Sequence, residues 1–363
     1  MFINFVELRN FRNYSYEKFF LGKTLNVLLG DNAQGKTNLL ESIYFSCIGK
    51  SFKTKNEKEM IEHEKSACKI LVDFEKNNGN NTILIEFKDN QKFIKLNEIN
   101  IIKSSSMLGN LACVFFSPNE LKLVKEAPED RRKFLDIDIS QINKAYYTSL
   151  VKYNKILKER NKLLKSTDDK KILEETLPIW DYQLAVCASD VILYRLEFVN
   201  KISVLSLIEH KFLSNNKEEL VVKYSSCDNF ENKTKEQIEQ ILINKLLESR
   251  EKDFKLKYTT IGPHRDDLKI YLNNLEVKNY GSQGQQRTAL LAIKLAELEV
   301  FKEVFGEYPL LLLDDVFSEL DESRKLKLFK RVQNLQTIIT TTKFDLVNAK
   351  ANIITIEDGK IKI

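Results

Sequence analysis

The chain has 363 residues with 43% apolar content, which is too long for one average domain and apolar enough to exclude a disordered protein. Its net charge of +5, from 57 basic and 52 acidic residues, neither requires nor excludes a nucleic-acid partner, because such a partner needs a local basic face. Five scattered cysteines without a CxxC pair exclude a zinc site or a disulfide framework, and without a signal-like start or an apolar run of ~20 residues we expect a cytoplasmic protein.

The N-terminal part of the sequence predicts strands, a glycine loop and a helix, in that order. Residues 2–29 read as short strands that end in the apolar run at 25–29. Apolar residues between 39 and 47 then recur at spacings of three and four, which is typical of a helix.

Three alternating segments follow, and short turns separate them. Asparagine- and glycine-rich residues lie between the first two segments, and an Asp-Asn pair lies between the second and the third. The pattern predicts an antiparallel meander, and the apolar run at 113–116 predicts another buried strand. The three meander segments are residues 70–74, 82–87 and 92–96.

Residues 128–253 differ in composition from the rest of the chain. They are rich in lysine, glutamate and leucine and nearly lack glycine, which predicts a mostly helical lobe. Pro178 marks the start of a second helix in this lobe, because proline is favoured in the first helical turn. Residues 220–224 are a strand candidate that does not fit a purely helical lobe.

Strand signals return in the C-terminal part of the chain. The fold class that we expect is α/β: a nucleotide-binding lobe with a mixed sheet and an antiparallel β-subdomain, formed by residues 1–127 and 254–363, with the helical lobe 128–253 inserted. The C-terminal strand candidates are residues 268–272, 275–277, 310–313 and 338–342, with a final hairpin that turns at Asp358-Gly359.

A phosphate-binding loop is the most specific motif of the sequence. The segment Gly30-Asp31-Asn32-Ala33-Gln34-Gly35-Lys36-Thr37 fits the pattern GxxxxGK[ST]. The glycines let backbone N–H groups converge on phosphate oxygens at the start of a helix, Lys36 reaches the β- and γ-phosphates, and Thr37 ligates Mg²⁺. An ordinary glycine turn is the alternative, but the position between a strand and a helix favours ATP, with Asn38 completing the nucleotide-binding segment.

Two carboxylates end the apolar strand at 310–313. Asp314 is suited to hold Mg²⁺, and Asp315 is suited to polarise the attacking water as the catalytic base beside Lys36. A core strand with a polar end would look the same in isolation. The phosphate loop upstream favours the magnesium site, with Thr37 and Asp314 as ligands.

The segment 280–287 contains serine and glycine and precedes an amphipathic helix, so by itself it is typical of a helix cap. Together with the phosphate loop it resembles the signature motif of ABC ATPases. The resemblance implies that Ser282 and Gly284 contact the γ-phosphate of ATP held by a partner subunit. The signature residues are Ser282, Gln283, Gly284, Gln285 and Gln286.

The segment after the two acids resembles the D-loop of ABC ATPases, although a helix cap and first turn would look similar. A chain with a phosphate loop and a signature on different faces completes neither site alone, so the resemblance implies an ATP-dependent, head-to-tail homodimer. The D-loop residues are Ser318, Glu319, Leu320 and Asp321.

Within ABC ATPases the chain resembles the RecF family, DNA replication and repair proteins of the SMC-like branch. The resemblance implies a clamp on double-stranded or gapped DNA near single-strand/double-strand junctions, slow ATP hydrolysis that releases it, and action with RecR and RecO in recombinase loading. The motifs occur in the expected order at residues 8–14, 30–37, 116–118, 130–136, 262–267, 282–287 and 312–321.

The sequence also departs from the ABC pattern. Asp315 stands where most ABC ATPases have glutamate, and Thr341 or Thr342 stands near the place of the usual switch histidine. There is no clear Q-loop glutamine. These departures predict weak ATP hydrolysis, which suits a timed clamp better than a motor or a pump. With the DNA clamp that the resemblance implies, we expect a weak DNA-dependent ATPase.

Each of the remaining candidate residues has two possible roles. By resemblance, Arg12 approaches the adenine or the α-phosphate. The basic cluster Arg131, Arg132 and Lys133 contacts DNA phosphates or is a solvated helix start. His264 and Arg265 sense nucleotide or DNA, or form a structural turn.

An ABC transporter ATPase subunit is the alternative function. The signature sequence, the missing switch histidine and the long helical insertion count against it. A small-molecule kinase with a phosphate loop is a weaker alternative, since it has no use for a signature helix.

Overall fold

The computed structural model describes residues 1–77, 79–89, 91–102, 104–166, 169–344 and 350–362. The strands are β1 (Phe2–Phe11), β2 (Tyr14–Phe20), β3 (Leu25–Leu29), β4 (Ala67–Lys76), β5 (Gly79–Lys88), β6 (Gln91–Leu96), β7 (Ile99–Asn100), β8 (Cys113–Phe116), β9 (Leu220–Ser225), β10 (Asp267–Leu272), β11 (Leu275–Glu276), β12 (Leu310–Asp314), β13 (Thr337–Thr341), β14 (Ala351–Glu357) and β15 (Lys360–Lys362). The α-helices are α1 (Lys36–Ile48), α2 (Lys122–Lys125), α3 (Pro128–Ile142), α4 (Lys144–Ser166), α5 (Lys170–Ser214), α6 (Lys235–Leu256), α7 (Val277–Tyr280), α8 (Gln283–Phe305) and α9 (Glu322–Val332). Short 3₁₀ helices cover Glu57–Met60, Ser104–Ser106, Pro118–Leu121 and Val316–Glu319.

The chain divides into two units, residues 1–121 with 291–363 and residues 122–290. In the first unit an antiparallel sheet has the strand order β2-β1-β4-β5-β6-β7. Along β4, buried and half-buried residues alternate, as they do in a sheet with one face on a core. The predicted meander is therefore confirmed as β4, β5 and β6.

A second sheet in this unit has the order β15-β14-β3-β13-β12-β8, and its strands from β14 to β8 are parallel. Strand β3 comes from the N-terminal part of the chain but pairs with β13 on one side and β14 on the other. Parallel strands covered on both faces read as continuous apolar runs, which explains the four leucines of β12. The α/β fold assembled from both parts of the chain is confirmed.

The second unit contains α2 to α7, the first turns of α8 and the small antiparallel sheet β11-β10-β9. The strand candidate at 220–224 is confirmed as β9, which pairs with β10. The unit boundary therefore lies at 290/291 rather than at 253/254, and the earlier boundary lies at 121/122 rather than at 127/128. The physical reason for the later boundary is that β10 finds its hydrogen-bonding partner in β9, so residues 254–290 stay with the helical unit.

The prediction that a helix starts at Pro178 is wrong. Helix α5 runs from Lys170 to Ser214 with Pro178 inside it, and the side chain of Asp169 caps its start. Proline removes one backbone donor and leaves the carbonyl four residues earlier without its helical partner. Both Pro178 and Glu174 are exposed, so water can bind the released carbonyl and the helix continues. Within the described residues no helix is long and apolar enough to cross a membrane.

A buried ion network ties three helices of the second unit together. Arg160 of α4 is fully buried and donates Nε to Asp181 of α5 at 2.8 Å and Nη1 to Asp253 of α6 at 2.8 Å. Nη1 also donates to the hydroxyl of Thr259 at 2.8 Å. Because desolvated charges are costly unless they are paired, each partner depends on the others.

We expect Arg160→Met to lower the free energy of unfolding by about 3–5 kcal/mol, because it leaves the buried Asp253 without its cation and leaves Asp181 paired with Arg250 alone. Urea denaturation followed by circular dichroism measures the change. Lys158→Met, at an exposed position of the same helix, is the matched control and should stay within about 0.5 kcal/mol of the parent chain. Equal midpoints for the two variants would contradict the role given to the network.

Candidate nucleotide-binding site

The phosphate loop joins β3 to α1, as the sequence predicts. Gly35 precedes α1 with a φ of 115°, and a Cβ there would lie 2.7 Å from the Tyr14 hydroxyl and 2.8 Å from the Asn13 amide nitrogen. Gly30 has a φ of 154°, and a Cβ there would lie 2.3 Å from the carbonyl oxygen of Ile356. Both consensus glycines are thus required by backbone conformation and by close neighbours.

Lys36 is buried, and the loop backbone holds its ammonium group. Nζ donates to the carbonyl oxygens of Gly30 at 2.5 Å and Asp31 at 2.7 Å. Burial lowers the pKa of Lys36, and the nearby carboxylates of Asp315, Asp31 and Asp314 oppose that shift. The ammonium is therefore held by neutral carbonyls at the start of a helix. A phosphate bound there would supply the negative charge that pairs with it.

The magnesium candidates Thr37 and Asp314 meet in the structure. The Thr37 hydroxyl donates to Asp314 Oδ1 at 2.8 Å, and the Thr340 hydroxyl donates to the same oxygen at 2.8 Å. Thr340 also accepts from the backbone N–H of Asp315 at 2.9 Å. Sequence analysis missed Thr340, whose place next to Asp314 follows from the parallel register of β12 and β13.

Asp315 follows β12 in a left-handed conformation, with a φ of 52°. Its side chain is exposed, whereas that of Asp314 is half-buried. The turn therefore separates the two acids: Asp314 accepts a hydrogen bond from the Thr37 hydroxyl, and Asp315 lies at the surface of the cleft.

Residues from the N-terminal third and from the C-terminal part of the chain line a cleft of about 360 Å³. Among the candidates from the sequence it is lined by Asn32, Ala33, Gln34, Gly35, Lys36, Thr37, Asn38, Asp314 and Asp315. The further lining residues are Lys53, Ser117, Pro118, Asn119 and Thr340. The cleft lies wholly within the first unit.

Lys53 is a cationic residue that sequence analysis missed. Its Nζ donates to Asn38 Oδ1 at 2.6 Å, and burial lowers its pKa while Glu41 opposes that shift. Sequence analysis also missed Asn13 as a residue that supports the phosphate loop. It donates to the Gln34 carbonyl at 3.1 Å and accepts from the Asn38 side chain at 2.8 Å. Only the family motif at 8–14 signals Asn13, and nothing in the sequence distinguishes Lys53 from other lysines.

Arg12 contacts protein groups. Its guanidinium donates to both carboxylate oxygens of the buried Glu41, at 2.9 and 2.7 Å, and to the Glu59 carbonyl at 2.6 Å. It does not belong to the residues that line the described cleft. A contact of Arg12 with nucleotide therefore stays a prediction, while the observed role is to hold α1 through Glu41.

The residues at the cleft fit a nucleotide-bound magnesium ion. Among the described residues, no group of three or more His, Cys, Asp or Glu side chains could hold a metal. Mg²⁺ keeps waters and takes one or two protein oxygens together with phosphate oxygens. The hydroxyl of Thr37 and the carboxylate of Asp314 are hard oxygen ligands of this kind.

The signature candidates lie in the second unit, at the start of α8. The Ser282 N–H donates to Gln285 Oε1 at 2.8 Å, and the Gln285 N–H donates to Ser282 Oγ at 3.3 Å, which is a reciprocal capping box. Ser282 and Gln283 are exposed. Gln286 is buried and donates to the Val277 carbonyl at 3.2 Å, and the Gly284 carbonyl accepts from Thr288.

The D-loop candidates follow β12 in the first unit. The backbone of Ser318 and Glu319 lies in the 3₁₀ helix Val316–Glu319, and their side chains lie outside the described residues. Leu320 is buried. Asp321 caps α9 by accepting from the Arg324 N–H at 2.8 Å.

The structure corrects one of the three DNA candidates. Arg131 is buried and donates to both oxygens of Asp267, at 2.6 and 3.1 Å, so its guanidinium is committed to a structural ion pair. Arg132 is half-buried and donates to the Asp266 carbonyl at 2.8 Å. Lys133 is exposed and stays a candidate for DNA phosphate.

His264 packs inside the second unit. Its Nδ1 lies 2.5 Å from the Tyr153 hydroxyl and its Nε2 lies 2.9 Å from the Thr259 carbonyl. Burial lowers the pKa of His264 to about 4, so the ring is neutral near pH 7 and Nε2 carries the proton. These contacts favour the structural reading of this turn. Arg265 lies over the Tyr258 ring at 4.7 Å.

Comparisons with known proteins agree with this geometry. The family model described as RecF/RecN/SMC N terminal domain matches residues 2–362. The chain is 45% identical over 343 residues to the DNA replication and repair protein RecF of Clostridium perfringens strain 13, covering 94% of this chain and 93% of that protein. It is 42% identical over 365 residues to RecF of Clostridium tetani, covering 99% of each chain.

Solved structures are similar to this chain as well. The recombination mediator protein RecF with ATP, described as part of the RecFOR pathway, superposes with a TM-score of 0.93 at 35% identity, covering 99% of this chain and 97% of that one. The Smc head domain of Pyrococcus furiosus, solved with the C-terminal domain of ScpA, has a TM-score of 0.58 at 17% identity, covering 99% of this chain and 95% of that one, and shows the fold alone. The chain belongs to the RecF family of ABC/SMC-like ATPases.

Proposed function

We propose that this chain is an ATP-dependent DNA clamp for the recombinational repair of replication gaps. The observation that carries the proposal is the hydrogen bond from Thr37 to Asp314 at 2.8 Å, beside the buried Lys36, which joins the magnesium and phosphate ligands in one cleft. ATP is the ligand that these groups suit, and a RecF similar to this chain has been solved with ATP. We infer the role in DNA repair from the names of the relatives, which are DNA replication and repair proteins.

The chemistry of the cleft supports a slow ATPase. Mg²⁺ held by Thr37 and Asp314 would neutralise charge on the β- and γ-phosphates. Asp315 would accept a proton from the water that attacks the γ-phosphorus, while the bond to the β-phosphate oxygen breaks and ADP leaves. Aspartate is shorter than the glutamate usual at this position, which supports slow turnover.

The signature motif supports an ATP-dependent homodimer. Ser282 and Gln283 are exposed at the start of α8, where backbone N–H groups favour an anion. We infer that this surface binds the γ-phosphate held by a second copy, head to tail, with residues 318–321 at the same interface. Hydrolysis would then remove the shared phosphate and release the clamp.

The DNA that we propose this clamp binds is double-stranded DNA near single-strand/double-strand junctions. Lys133 is the exposed cation that remains from the predicted basic cluster. The pathway named for a solved relative supports RecO and RecR as partners in recombinase loading. A DNA substrate of this kind would place the activity in the cytoplasm.

Lys36→Met should lower the affinity for ATP about 100-fold, because the phosphates lose a buried ammonium ligand. Titration with a fluorescent ATP analogue in the presence of Mg²⁺ measures the dissociation constant. Lys50→Met, at an exposed lysine after the same helix, is the control and should bind like the parent chain. Parent-like affinity in Lys36→Met would refute the phosphate-loop assignment.

Asp315→Asn should keep ATP affinity but reduce the rate of phosphate release about 100-fold or more, because an amide cannot accept the proton of the attacking water. Single-turnover phosphate release measures the rate. Asp89→Asn is a matched control, since both aspartates are exposed and have a positive φ that asparagine also adopts. Equal rates for the two variants would argue against Asp315 as the base.

Anisotropy of a labelled gapped duplex, at fixed moderate salt, tests the function as a whole. Binding should be about tenfold tighter with ATP than without nucleotide, since only the dimer encloses DNA. Ser282→Arg should bind ATP but lose this gain, because its long side chain fills the space of the partner's phosphate. DNA binding that does not respond to ATP would leave the ATPase fold intact and remove the clamp.

A further inference from the structure

We propose that Glu218 is a positioning residue for the signature motif, acting through Gln285. The inference rests on the proposed role of Ser282 at the nucleotide of a partner subunit. Glu218 lies in the segment between α5 and β9, far in sequence from the signature, and belongs to no motif that sequence analysis identified.

Gln285 is held at both ends of its side-chain amide. Its Oε1 accepts from the Ser282 N–H at 2.8 Å, and its Nε2 donates to Glu218 Oε1 at 2.8 Å. The carboxylate can accept but cannot donate, so it fixes which end of the amide faces Ser282. Glu218 thereby selects the orientation in which Gln285 caps the first residue of the signature.

Glu218 is itself held in place. Its second carboxylate oxygen lies 3.0 Å from Nε2 of His210, which is buried in α5. The next residue along the chain, Glu219, exchanges two hydrogen bonds with Asn273 of the β10–β11 turn, at 2.8 and 3.0 Å. Helix α5 and the small sheet therefore both fix the carboxylate that contacts Gln285.

The contact between Glu218 and Gln285 affects how the hydroxyl of Ser282 is oriented. That hydroxyl accepts from the Gln285 N–H at 3.3 Å, so its own proton can be donated to a phosphate oxygen. A capping box needs only Ser282 and Gln285, and the additional charged contact to Glu218 goes beyond what capping requires. Its consequence is a fixed direction for the Ser282 hydroxyl that would meet the phosphate.

The test measures dimerisation of the full chain by analytical ultracentrifugation with ATPγS and Mg²⁺. Glu218→Ala should weaken the dimer about tenfold while ATPγS affinity of the monomer stays unchanged, because the phosphate loop lies in the other unit. Glu219→Ala is the matched control, since this exposed neighbour pairs with Lys211 and not with the signature. Glu218→Gln should weaken the dimer less than Glu218→Ala does, because its amide oxygen can still accept from Gln285 although its NH2 group no longer excludes the reversed orientation of that amide.

A double-mutant cycle shows whether Glu218 acts through Gln285. In a Gln285→Ala background, Glu218→Ala should cause no further loss of dimerisation. A further loss of the same size would overturn the inference. If Glu218→Ala does not fold, Gln285→Met removes the contact from the other side, and a parent-like dimer in that variant would also overturn it.

Ser282→Arg separates this inference from the proposed function. If Ser282→Arg dimerises like the parent chain, the signature does not form the interface, and both proposals fall. If Ser282→Arg stays monomeric and Glu218→Ala dimerises like the parent chain, the clamp stands and only the positioning role falls.

Discussion

The pairing of β3 between β13 and β14 is the constraint on which the nucleotide site depends. It brings the phosphate loop to the carboxyl ends of parallel strands, where the acids of β12 also end. The hydrogen bond from Thr37 to Asp314 spans 277 positions of sequence and exists only because this sheet forms. The arrangement of Lys36, Thr37 and Asp314 is therefore a property of the sheet as much as of the loop motif.

The second unit is organised around buried charges instead of a large sheet. Arg160 joins three helices, and Arg195 donates to Asp136 at 2.7 Å and to the Pro263 carbonyl at 2.8 Å. The motif at 262–267 lies within this network: the buried Asp266 accepts from Ser226 at 2.6 Å and from Tyr224. Its residues hold the helical unit together, and the neutral His264 fits that structural role because a charged ring would be costly there.

Two arginines of the family motifs have carboxylate partners that the motifs do not predict. Arg12 and Arg131 both lie in motifs with functional associations, and both form two-pronged pairs with a carboxylate, Glu41 and Asp267. Arginine suits such pairs because its planar guanidinium presents two parallel donors. A sequence gives the residue type but not the partner, so it cannot separate an arginine that binds phosphate from one that supports a helix.

The sequence alone determined the phosphate loop, the acidic strand end, most strands and the family, because these depend on local patterns: glycines at fixed spacing, apolar runs and turn residues. The tertiary structure decided what depends on distant partners. It placed Thr340 and Lys53 at the cleft and Asn13 against Gln34 of the phosphate loop. It assigned residues 254–290 to the helical unit through the pairing of β10 with β9, and it brought Glu218 to Gln285. Such contacts join residues far apart in the chain, and no local pattern records which surfaces fold against each other.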